Sequence, residues 1–80
     1  MNRFKLYGTS ACHLCDVAAA MLEGLAEQGI CPGYDKIDIS DSDDLFQRYG
    51  LAIPVLRSPA GEELNWPFDV EQLRSFIARE

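Results

Sequence analysis

The stretch from Leu14 to Leu25 constrains the fold more than any other part of the chain. Its apolar residues Leu14, Val17, Ala18, Met21, Leu22 and Leu25 follow the i, i+3, i+4, i+7 spacing of one helix face, and the run closes at Gln28-Gly29. Strand patterns bracket it. Arg3 to Tyr7, RFKLY, alternates polar and apolar residues and stops at Gly8, and Tyr34 to Ile39 resumes with Ile37 and Ile39 on one face. Two strands joined by a helical crossover form a right-handed parallel pair in one sheet, with the apolar stripe of the helix laid on it.

The second half adds shorter pieces. Ser40, Asp41, Ser42 and Asp43 offer N-caps for a short helix with Leu45 and Tyr49 four apart, closed by Gly50. Ile53 to Leu56 is a strand interrupted by Pro54, Ser58-Pro59-Ala60-Gly61 is a turn, and Glu62 to Trp66 returns as a hairpin partner that Pro67 ends. A last helix starts at Asp69, with Gln72 in capping-box spacing and Leu73, Phe76 and Ile77 on one face. The order is βαβαββα, an α/β fold in which a four-stranded mixed sheet is flanked by three helices. With 80 residues, folding buries only about 60% of the surface exposed by the unfolded chain, so residues 1–80 are expected to form a single domain around a shared core.

Charge and hydropathy narrow the partners. Thirteen acidic against seven basic side chains give a formal charge of -6, which repels phosphate backbones, and no basic stripe reverses it, so no nucleic-acid partner is expected. The longest apolar run, Val17 to Leu22, is far short of the ~18 residues of a membrane span. The N-terminus has no secretory h-region or cleavage site, so a cytoplasmic protein is expected, with no membrane association. Three cysteines without a signal peptide do not make a disulfide framework; in a reducing compartment such thiols are catalytic, metal-bound or buried.

Two of them, Cys12 and Cys15, open the first helix as CHLC. On the helical wheel Cys15 falls at the edge of the stripe and Cys12 nearly opposite it. Cys12 is therefore expected to be exposed at the positive end of the helix, where unpaired N–H groups favour thiolate, and Cys15 to be partly covered one turn deeper. Thiol–disulfide exchange needs that asymmetry, because an exposed thiolate attacks and a second thiol within reach resolves the mixed disulfide. Lowering a thiol pKa from ~8.5 to ~7 raises its thiolate fraction at neutral pH about fifteen-fold, and a Brønsted slope of ~0.4–0.5 returns about a factor of five. Positioning must supply most of the advantage.

Other uses of these residues compete. His13 can stabilise the Cys12 thiolate as an imidazolium at low pH, or simply stand exposed in the first turn. Asp16 suits the helix start and opposes a nearby thiolate. A structural zinc site needs four ligands, and only Cys31 stands outside the CHLC cluster, which leaves no metal ligands in this reading. Cys31 itself, between Ile30 and Pro32, fits a buried, inert thiol. Trp66 and Phe68 fit core packing, or an apolar rim for a protein substrate.

The strand ending YG, CHLC opening a helix, YDKIDIS, a short helix running into YGLAIPVL, a hairpin and a final helix together resemble the small glutaredoxin-like proteins of the thioredoxin fold, from Arg3 to Arg79. The resemblance implies a thiol–disulfide oxidoreductase that reduces protein or glutathione mixed disulfides, with Cys12 as nucleophile and Cys15 as resolving thiol. It implies a cis Ile53-Pro54 bond beside the site, where the Ile53 backbone pairs with an extended substrate. His13, Ile53, Pro54 and Asp69 are the expected substrate-binding residues.

The resemblance implies electrons from glutathione as cosubstrate or from a reductase, with no tightly bound cofactor, and a disulfide-containing protein or glutathione as the partner of a monomeric chain. The sequence departs from the family pattern at His13-Leu14, where Pro-Tyr is usual, at Thr9, where Lys is common, and at Trp66-Pro67-Phe68, where Gly-Gly precedes the aspartate that grips glutathione. Asp69 keeps its place, but helix capping also explains it. Arg48 fits a solvated surface cation, or a contact to a substrate carboxylate. The alternative function is a non-catalytic thioredoxin-fold module that binds a protein through the same groove.

Overall fold

The computed structural model describes residues 3–79. Its elements run β1 (Phe4–Gly8), α1 (His13–Glu27), β2 (Tyr34–Asp38), a 3-10 turn (Ile39–Asp41), α2 (Asp43–Tyr49), β3 (Val55–Arg57), β4 (Glu63–Asn65) and α3 (Val70–Ala78). The sheet order is β2-β1-β3-β4; β1 and β2 are parallel, and the other neighbours are antiparallel. The mixed α/β architecture expected from the sequence is therefore the one formed, and it is a thioredoxin-like fold.

The two faces of the sheet carry separate clusters. Phe4, Leu6 and Leu56 pack with Ala18, Leu22 and Leu25 of α1 and with Leu73, Phe76 and Ile77 of α3. Tyr7, Ile39, Tyr49 and Val55 form the second cluster, where the rings of Tyr7 and Tyr49 stack at 4.4 Å. Alternation along β1 makes this division, because Phe4 and Leu6 point to one face and Tyr7 to the other. Phe68 is buried, and its ring meets that of Trp66 edge to face at 4.9 Å, so both aromatics belong to the core side.

Several local expectations change. The buried stripe of α1 is Cys15, Ala18, Ala19, Leu22 and Leu25, which places Cys15 within it and leaves Leu14 44% exposed. The physical reason is Gly8: with no side chain there, the first turn of α1 settles on β1 through Cys15, and the helix rolls Leu14 outward. Strand β2 ends at Asp38, one residue early, because the Asp38 carboxylate accepts the Ser40 N–H at 2.9 Å and its hydroxyl at 2.6 Å, capping a turn that still buries Ile39. Gly50 closes α2 as expected, with φ -54, and a Cβ there would lie 2.5 Å from the Phe46 carbonyl oxygen. Strand β3 begins after Pro54, at Val55.

The capping box of α3 is complete: Asp69 accepts the Gln72 N–H at 2.8 Å, and the Gln72 side chain accepts the Asp69 N–H at 2.9 Å. The Ser42 hydroxyl caps α2 by accepting the Leu45 N–H. No helix among the described residues is long and apolar enough to cross a membrane.

Candidate active site

Strand β1 delivers the chain to the start of α1. Cys12 is the N-cap, in extended conformation (φ -100, ψ 109), and its Sγ accepts the Cys15 backbone N–H at 3.1 Å, where a serine or aspartate oxygen commonly acts. Cys12 and Cys15 are paired as a disulfide with their Cα atoms 5.2 Å apart, within the usual range. Cys12 is half-buried, whereas Cys15 is 6% exposed and packed under the first turn. The expected inequality of the two sulfurs is present, with Cys12 more covered and Cys15 deeper than the helical wheel indicated.

Gly8 is a site residue that sequence reasoning missed. A Cβ at position 8 would sit 2.8 Å from Cys15 Sγ and 3.0 Å from Cys15 Cβ. The sequence signal was only a glycine ending a strand; the close approach depends on how α1 folds back over β1. Beside it lies a cavity of about 280 Å³ lined by Leu6, Gly8, Cys15 and Ile37, with Asp16, Lys36 and Asp38 among its polar residues. Hydrogen bonds from Ser40 hold the Asp38 carboxyl below its ordinary pKa.

The remaining candidates are placed as follows. His13 is the first residue of α1 and exposed, beside the exposed Leu14. The Ile53-Pro54 bond is cis, and so is Trp66-Pro67, which nothing in the sequence singled out. Pro54 is buried, and its carbonyl accepts the Trp66 N–H at 3.2 Å. The Ile53 N–H is given to the Tyr49 carbonyl at 3.1 Å and so is not free to pair with another segment as a strand would. Asp69 lines a different concavity, with Leu64, Gln72, Ser75, Phe76 and Arg79, and one of its carboxylate oxygens is occupied in capping α3. Arg48 is exposed, with its guanidinium 5.7 Å from the centre of the Tyr49 ring. Cys31 is buried in the main cluster, and its N–H is bonded to the Leu25 carbonyl. The structure thus joins Cys12 to Cys15 and sets Asp69 in a separate hollow.

A strand feeding a helix whose cap and first turn are the two halves of a disulfide, on a four-stranded mixed sheet, defines a redox-type protein of the thioredoxin fold. Comparison with known families and structures narrows the class. Residues 3–78 match the family described as Glutaredoxin-like domain (DUF836), and the chain belongs to that family.

Among solved structures, the X-ray structure of protein XcR50 from X. campestris is 38% identical over 96% of this chain and 97% of its own, with a TM-score of 0.85. The solution structure of XcR50 gives 37% identity over 98% of this chain and 95% of its own, with a TM-score of 0.83. Protein Ne2328 from Nitrosomonas europaea is 25% identical over 94% of this chain and 89% of its own, with a TM-score of 0.77. No curated protein matches.

Proposed function

We propose that the chain is a thiol–disulfide oxidoreductase in which Cys12 attacks and Cys15 resolves. The observation that carries this reading is a disulfide between an N-cap sulfur and a buried sulfur one turn on. In the reduced protein the Cys12 thiolate attacks one sulfur of a substrate disulfide, and the other substrate sulfur leaves as thiolate. Cys15 then loses its proton and attacks Cys12 Sγ, the bond from Cys12 to the substrate breaks, and the substrate leaves as a second thiolate. This returns the oxidised state of the structure, and two thiols from a donor such as glutathione reduce it again.

The Cys15 N–H that points at Cys12 Sγ at 3.1 Å stabilises negative charge on Cys12 as the nucleophile; when a donor thiolate reopens the disulfide by attacking the more exposed Cys12 Sγ, Cys15 is the sulfur that leaves as thiolate. Ile53 and Pro54 position the substrate, His13 meets it at the exposed start of α1, and Asp69 contacts glutathione through whatever capacity capping leaves it. In this reading the substrates are protein or glutathione mixed disulfides, and the chain works as a cytoplasmic monomer without a tightly bound cofactor.

The test is mass spectrometry after equilibration in glutathione redox buffers, comparing wild type with Cys12→Ser and Cys15→Ser. A glutathione adduct on Cys12 should accumulate in Cys15→Ser and be missing from Cys12→Ser. Absence of that adduct, with wild type still cycling against protein disulfides, would move the reading to another electron donor. A pair that neither small thiols nor protein disulfides reduce or oxidise would leave a protein-binding module in its place.

A further inference from the structure

Register across the sheet places residues in rows. On the face carrying α2, one row runs Ile37, Tyr7, Val55, Asn65, and the next runs Asp35, Lys5, Arg57, Glu63. Helix α2 closes the first row through the stack of Tyr49 on Tyr7, whereas Lys5, Asp35 and Glu63 in the second are exposed. Lys5 and Arg57 are therefore direct cross-strand neighbours of like charge, each with a carboxylate, Asp35 or Glu63, as its neighbour on the other side.

Both arginines at this place are held in position. Arg3 bonds the Tyr34 carbonyl at 2.8 Å and the Asp35 carboxylate at 3.2 Å, and its guanidinium lies over Gly33, where a Cβ would come within 3.4 Å. Arg57 reaches the Tyr49 hydroxyl at 3.5 Å and Glu63 at 3.9 Å, and it lies 3.6 Å from where a Cβ on Gly61 would be. Gly33 and Gly61 have φ of 131 and 93, so both turns exclude side chains where the guanidinium groups sit. Lys5 has no ion pair among the described residues. Together they border a concavity of about 580 Å³ that is closed on one side by the turn from Ser58 to Gly61.

Three of the chain's seven cationic side chains thus meet at one hollow of an acidic protein; Asp35, the carboxylate in its lining, is engaged with Arg3, and Glu63, outside the lining, accepts from the Tyr49 hydroxyl and lies 3.9 Å from Arg57. We propose that this hollow binds the phosphate group of a small phosphorylated molecule, with Lys5 as the uncommitted charge between two preset guanidinium groups. A phosphate presents several oxygens that two forks and an ammonium can share. The hollow is independent of the disulfide, so its occupancy does not rest on the proposed redox activity.

Amide NMR of the oxidised wild-type protein, titrated with inorganic phosphate at ionic strength fixed by chloride, tests the proposal. The amides of Lys5, Arg57, Ser58 and Gly61 should shift saturably while those of Cys12 and Cys15 stay in place. Lys5→Glu should bind roughly tenfold or more weakly, as expected when one of three close cations changes sign, and Lys5→Arg should bind like wild type. Thermal unfolding of Lys5→Glu checks that the variant is folded, and its disulfide-exchange rate should equal that of wild type. Shifts that never saturate, that centre on other residues, or that persist unweakened in folded Lys5→Glu overturn the proposal.

Discussion

Replacing Gly8 by alanine probes the contact that places Cys15. The new Cβ would lie 2.8 Å from Cys15 Sγ, well inside the ~3.5–4.0 Å optimum for non-bonded carbon contacts. In the oxidised protein that sulfur is tied to Cys12 and cannot turn away, whereas in the dithiol it is free to take another rotamer. Overpacking of this kind costs about 1–3 kcal/mol. Alanine also restricts the unfolded chain, a gain of about 0.4–1 kcal/mol that is equal in both redox states and cancels from their difference.

The clash therefore weighs on the disulfide, and the reduction potential of Gly8→Ala should rise by about 20–60 mV, at roughly 30 mV for each 1.4 kcal/mol. Thiol trapping after equilibration in glutathione redox buffers measures the potential, and urea unfolding of the oxidised and reduced forms measures the two stabilities. Equal losses of stability in both forms, with no change in potential, would refute the reasoning, because they would show that the β1 backbone rather than the sulfur gives way.

Leu22, fully buried under the sheet, should lose about 2–5 kcal/mol on replacement by alanine, whereas Leu14→Ala, at an exposed position, should stay within about 0.5 kcal/mol in urea unfolding; the reverse order would restore the stripe read from the sequence. Tyr34 is pushed up to about 12 by burial and, next, by its hydrogen bond to Glu23. Because this folded-state value lies above the ~10 of an unfolded tyrosine, its contribution is complete below pH ~10 and is lost as pH rises towards the folded value. The stability difference between wild type and Tyr34→Phe should thus be flat near neutrality and shrink in strongly alkaline urea titrations; a difference unchanged at high pH would show that the hydroxyl contributes nothing through its protonated form.

Much of the architecture could be inferred from local pattern. The capping box of Asp69 and Gln72 and the Leu73, Phe76, Ile77 face of α3 depend on residues within a few positions of one another, and they formed as the spacing indicated. The crossover between β1 and β2 followed from chain order and handedness. Cys12 and Cys15 were recognisable as a pair because one helical turn separates them.

The chain alone, then, determined which segments are helix and strand, the four-stranded mixed sheet, and the two sulfurs that meet, since each follows from periodicity, capping or short-range connection. Only the tertiary structure decided which way α1 rolls, that β1 touches Cys15 through Gly8, that the Ile53 N–H goes to Tyr49, and that Arg3, Lys5 and Arg57 gather at one hollow. Those facts depend on residues far apart in the chain brought within a few ångströms, where packing volume and charge between neighbouring strands outweigh the local preferences that a sequence displays.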